Sequence, residues 1–136
     1  RYSMPLRQSI NRFMAPLLLE ASDECELNVD PTEGLNALRL QRSGRSFDFA
    51  QLSGGMKEQF NAALRLAMAD TLRSSHDGCL PLLFDDAFTN TDPKRLVSVL
   101  TMLRQAVDFG LQVVVLSCDP DPYREIADSC VMLPPV

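Results

Sequence analysis

Gln51-Leu52-Ser53-Gly54-Gly55-Met56-Lys57-Glu58-Gln59 opens a long helical run. Phe60, Ala63, Leu64, Ala67, Met68, Thr71 and Leu72 then recur at helical spacing, so one face of that helix, about Gly55 to Leu72, is expected to be buried. Ser53 stands where an N-cap belongs. Gly54 and Gly55 carry no Cβ, which lets backbone there come close to another molecule. A helix N-terminus offers unpaired N–H groups and partial positive charge, and both suit a phosphate. The stretch therefore reads as an anion site with no general base of its own. The plainer alternative is a glycine-containing turn before a core helix.

Thirty residues on, Leu80-Pro81-Leu82-Leu83-Phe84 ends abruptly in Asp85-Asp86. An apolar run of this length without alternation suits a strand buried on both faces, as in a parallel sheet. Paired carboxylates at the carboxyl end of such a strand lie where α/β sheets bind ligands. A capping aspartate or a solvated turn is the alternative. Leu52-Ser53-Gly54-Gly55 resembles the signature motif of the ATP-binding-cassette (ABC) ATPases, Leu82 to Asp86 their Walker B strand, and Thr91-Asp92 the end of their D-loop. The order and spacing of all three agree, from about Gln51 to Cys130.

The bulk numbers bound the rest. A chain of 136 residues with 46% hydrophobic side chains suits one domain, or one lobe of a larger one, with a packed core. No apolar run approaches the length of a membrane span, and residues 1–9 lead into no apolar segment of a signal peptide. The formal charge of −5 argues against a dominant nucleic-acid surface on this piece. Cys25, Cys79, Cys118 and Cys130 are scattered, with no Cys-x-x-Cys pair, so reduced thiols and a cytoplasmic setting are expected rather than a zinc site.

Upstream of the signature stretch, residues 2–21 read as a helix whose Leu6, Ile10, Phe13 and Leu17 step heptad-like, with Pro16 expected to kink or break it. It is either a packing helix or the last turns of a coiled coil. Residues 22–50 read as a β-hairpin region, with a turn at Asp30 to Gly34 and a basic turn at Arg42 to Arg45. His76, the one histidine, falls in a polar loop and reads as a surface residue. Downstream, Asp92-Pro93 starts a helix with an apolar face at Leu96, Val99, Leu100, Leu103 and Val107, and Gly110 stops it. Leu111 to Leu116 reads as a second buried strand. A short helix at about 122–128 and a third apolar stretch, Val131-Met132-Leu133, complete a strand–helix–strand–helix–strand pattern.

The resemblance implies a fold: an α/β C-terminal lobe of a P-loop NTPase, over 51–136, with a largely parallel sheet flanked by helices and with the N-terminal helix and hairpin attached. It implies ATP hydrolysis with Mg²⁺. Asp85 would hold the metal, and Asp86 would polarise the attacking water as general base. The family usually has Glu at that second position, and Asp is one methylene shorter. Ser53, Gly54, Gly55 and Gln59 would bind the nucleotide of an opposing subunit, with Asp92 at the same interface. Cys118 and Asp119 fall at the family's switch position, where a histidine is usual; an aspartate would repel the γ-phosphate. No Gly-x-x-x-x-Gly-Lys-[Ser/Thr] occurs in the chain, so the phosphate-cradling loop must come from a separate N-terminal half.

A heptad-like helix and a hairpin before the signature resemble the C-terminal head half of structural-maintenance-of-chromosomes (SMC) or double-strand-break-repair ATPases. There a coiled coil separates the two halves of the head, and two heads sandwich ATP and act on DNA. No membrane partner is implied. An ABC transporter subunit and a nucleotide-dependent dimerisation module with little hydrolysis are the competing readings.

Overall fold

The computed structural model describes residues 3–18, 24–27, 38–42, 44–73 and 80–136. The turn expected at 30–34, the loop holding His76, and Cys79 lie outside the described residues.

Helix α1 covers Ser3–Met14 and passes into a 3₁₀ turn, Ala15–Leu17. Pro16 explains the change: it has no N–H for the carbonyl four residues back, so the α-helical ladder cannot run through it. Ile10, Phe13, Met14 and Leu17 are buried in this chain's own core, which is the packing reading of the heptad-like stripe. Strands β1 (Glu24–Leu27), β2 (Leu38–Arg42) and β3 (Arg45–Asp48) form an antiparallel sheet in that order. The basic turn is real: Gly44 takes φ +74° between β2 and β3, a conformation that favours glycine. The hairpin region therefore has three strands.

Helix α2 (Gly54–Leu72) is the centre of the molecule. Its Phe60, Ala63, Leu66 and Ala67 pack against α1 and against the buried face of α3 (Pro93–Asp108), which presents Val99, Met102, Leu103 and Ala106. Gly110, at φ +93°, ends α3's turn as expected. Strand β4 (Leu82–Asp85) pairs in parallel with β5 (Val113–Leu116), Leu82 opposite Val113 and Asp85 opposite Leu116. The class is thus α/β, with a parallel pair at its functional end.

Three local expectations are corrected. The parallel strands are not buried on both faces: Phe84 is fully buried, but Leu83 and Leu116 are 50% and 41% exposed. No described segment covers that side of the two-stranded sheet. The helix expected at 122–128 is a 3₁₀ turn, Asp121–Tyr123, carried on by turns to Ala127; Pro120 and Pro122 supply no N–H to a helical ladder. Val131, Met132 and Leu133 make no strand, because they pair with no other strand among the described residues, and they stand exposed. Among the described residues no helix is long and apolar enough to cross a membrane.

Candidate functional site

Ser53 caps α2 as its sequence position requires. Its backbone is extended (φ −62°, ψ 159°), its Oγ accepts from the Met56 N–H at 3.3 Å, and its carbonyl accepts from the Lys57 N–H at 2.9 Å. The amides of Gly54 and Gly55, at the first helical positions, have no intrahelical acceptor. Ser53 and Gly54 are exposed, and a Cβ on Gly54 would meet nothing within 4 Å. Gly55 differs: a Cβ there would lie 2.9 Å from the Asn90 carbonyl oxygen. The close approach that its missing side chain permits is therefore to the chain's own loop, while Gly54 alone faces open space.

That loop is fixed to α2 by a residue the sequence reading passed over. Glu58 accepts from the Asn90 side-chain amide at 2.8 Å and from the Asn90 N–H at 3.3 Å. A carboxylate one turn into the helix, two residues before Phe60 begins the apolar series, is the available signal. Asp92, two residues beyond Asn90, caps α3: its Oδ1 accepts from the N–H groups of Lys94 and Arg95, each at 3.0 Å, and its Oδ2 pairs with Arg95 at 3.5 Å. Its carboxylate remains exposed. Gln59 does not join this surface. It is 1% exposed, sunk in the core, and its Nε2 has no hydrogen-bond partner among the described residues.

The second cluster lies at the carboxyl ends of β4 and β5. Asp85, the last residue of β4, is exposed and makes no hydrogen bond or ion pair among the described residues. Asp86 follows at φ +44°, the left-handed region that few side chains tolerate and aspartate tolerates better than most. Its N–H continues the pairing to the Leu116 carbonyl at 3.0 Å. Its carboxylate turns toward the chain leaving β5: Oδ1 accepts from the Cys118 N–H at 3.3 Å and Oδ2 from the Cys118 thiol at 3.8 Å. Ser117 Oγ donates to the Asp119 carbonyl and accepts from the Asp119 N–H, which fixes the turn.

Tyr123 borders this cluster. Burial pushes its hydroxyl above the usual tyrosine range, and the charges of Asp86 and Asp119 push it further. Below the edge, Phe84 packs on Phe88 and on the guanidinium of Arg65, which also donates to the Leu83 carbonyl at 2.7 Å. No group of three or more His, Cys, Asp or Glu suited to a metal cage occurs among the described residues. A lone exposed carboxylate does fit Mg²⁺, which keeps most of its waters and takes its remaining oxygens from phosphate.

A capped helix opening to solvent is tied through its own loop to a parallel strand that ends in two exposed carboxylates, and the fold that carries them is that of SMC head domains. The chain belongs to the SbcC/RAD50-like, Walker B motif family, whose model it matches over residues 35–105, more than half its length. The uncharacterized protein Rv1278 of Mycobacterium tuberculosis is 32% identical over 123 residues, 90% of this chain and 13% of that protein. The methionine import ATP-binding protein MetN of Corynebacterium efficiens is 30% identical over 119 residues, 87% of this chain and 30% of that one. A chain solved in work on the ATP-driven dimerization and DNA-stimulated activation of SMC ATPases has the same fold. It superposes with a TM-score of 0.69 at 17% identity, over 94% of this chain and 75% of that one.

Proposed function

We propose that this chain is the part of an ATPase head that grips nucleotide across a dimer, and that it hydrolyses ATP only when joined to a half carrying the phosphate-cradling loop it lacks. The observation that carries this reading is the open turn at Ser53-Gly54, at a helix N-terminus whose first N–H groups have no intrahelical acceptor. Ser53 and Gly54, with only the backbone N–H of Gly55 beside them, contact the γ-phosphate of a nucleotide seated on the opposing head, and Asp92 lies beside them at the interface. Asp85 holds Mg²⁺, which would neutralise developing charge on the phosphate oxygens. Asp86 orients and polarises the attacking water. The uncovered side of the parallel pair, with Leu83, Val114 and Leu116 exposed, suits an apolar element of the missing half.

The whole protein acts on DNA, in repair, chromosome maintenance or defence, at the nucleoid if it is bacterial. The solved neighbour described by DNA-stimulated activation supports that placement. With a charge of −5 on this piece, the DNA surface belongs to the rest of the complex. The test is to reconstitute the head with its N-terminal half and follow phosphate release and ATP-dependent dimerisation. Ser53→Arg is expected to abolish dimerisation, and Asp86→Ala to abolish turnover while dimers persist. Dimers that form equally well with Ser53→Arg refute the assignment of the turn.

One observation favours a second reading, a nucleotide-dependent dimerisation module with slow hydrolysis. Asp86 stands where the family usually has the longer Glu, and Cys118-Asp119 stand where a switch histidine is usual. Single-turnover rates separate the two readings.

A further inference from the structure

The contact between Asp86 and Cys118 joins residues that sequence distance separates, and the role of Asp86 gives it no explanation. Both oxygens of the carboxylate accept from one residue, Oδ1 from its N–H at 3.3 Å and Oδ2 from its thiol at 3.8 Å. Asp86 holds a left-handed backbone, φ +44°, and its N–H is already committed to the Leu116 carbonyl. Its side chain has two rotatable bonds with which to aim. Without a partner the carboxylate of so short a side chain would sample several orientations at an exposed edge. Two donors on one residue fix both its direction and the plane of its oxygens. An ionised carboxylate accepts at about four sites, so two are left for water and substrate. The Ser117–Asp119 turn in turn holds Cys118.

We propose that Cys118 is a positioning residue for Asp86: its N–H and thiol hold the carboxylate at the carboxyl edge of the parallel pair and so set the rate of hydrolysis. The tether limits the orientations open to this short side chain. This inference rests on the reading of Asp86 as general base.

The test uses the complete parent protein, with both halves of the head. Cys118→Ala and Cys118→Ser are compared in the Asp86 and Asp86→Glu backgrounds. A thiol is a weak donor, so Cys118→Ala should lower kcat about fivefold with KM for ATP unchanged. Cys118→Ser, which keeps a donor, should recover kcat to within about twofold. In the Asp86→Glu background the longer side chain needs no tether, and Cys118→Ala should change kcat by less than about twofold. Equal losses in both backgrounds, or no loss in either while Asp86→Ala abolishes turnover, overturn the inference.

Turnover that survives Asp86→Ala removes the base assignment instead. The contact itself is then judged without hydrolysis, by the rate at which N-ethylmaleimide labels Cys118, read by peptide mass. The thiol is held against the carboxylate, so Asp86→Ala, which removes its acceptor and opens space beside it, should speed labelling about threefold while Cys130, also a free exposed thiol, is unchanged. Unchanged labelling at Cys118 refutes the contact.

Discussion

Alanine at Gly55 and alanine at Gly54 should have opposite effects on stability, although the two residues are adjacent in one helix turn. At Gly55 the new Cβ would sit 2.9 Å from the Asn90 carbonyl oxygen. That oxygen is backbone and cannot swing aside. Asn90 is also bound twice by Glu58, and the Thr91 N–H closes onto the Phe88 carbonyl at 3.1 Å. Relieving the clash displaces the loop and strains those bonds, at a cost of about 1–3 kcal/mol. At Gly54 the Cβ meets open space, and alanine gains up to about 1 kcal/mol from reduced freedom of the unfolded chain. Both variants share that gain, so their difference isolates the clash. For a chain of this size 1 kcal/mol is about 4 °C, so Gly55→Ala should melt about 4–12 °C below Gly54→Ala. Circular dichroism melts of the two variants beside the parent chain provide the measurement. Melting temperatures within about 1 °C of each other would refute the close approach of Gly55 to the loop.

Three further outcomes follow from other contacts. Asp70 accepts from Ser9 at 2.9 Å and pairs with Arg12 and Arg73, each at 3.4 Å, joining α1 to α2; Asp70→Ala leaves the buried Ser9 hydroxyl without that partner and should cost about 2 kcal/mol in urea unfolding, with Asp70→Asn costing less. Asp92→Ala removes the two-bond cap of α3 and should cost about 1 kcal/mol in the same assay, whereas Asp92→Ser should cost little. Tyr123 should ionise above its ordinary value near 10, because burial and then Asp86 and Asp119 disfavour the phenolate. Its contribution to stability is therefore complete below that value and is lost as pH rises through the higher folded one. Absorbance titration should show a late-ionising tyrosine that Tyr123→Phe removes, and Asp86→Asn should lower its midpoint.

Much of the site was legible because it is local. Ser53 and Asp92 cap their helices within three residues of themselves, and those bonds follow from residue type and spacing. Gly110 and Gly44 turn the chain where their lack of a Cβ permits it. The parallel pairing of β4 with β5 followed from two apolar runs separated by one helix. Gln59 lies off that surface for the converse reason: position in a motif says which residues are neighbours along the chain, while helical rotation turns this one into the core.

Sequence alone therefore determined the α/β class, the helix that begins at the glycine turn, and the paired carboxylates at a strand's end. Each depends on interactions spanning a few residues or on a short periodic pattern. Tertiary structure decided the rest: that Gly55 is reserved for Asn90 while Gly54 stays open, that Glu58 latches the loop, and that Cys118 holds Asp86. These pairs are about thirty residues apart in sequence, and only the packing of α2, α3 and the parallel strands around one core brings them within bonding distance.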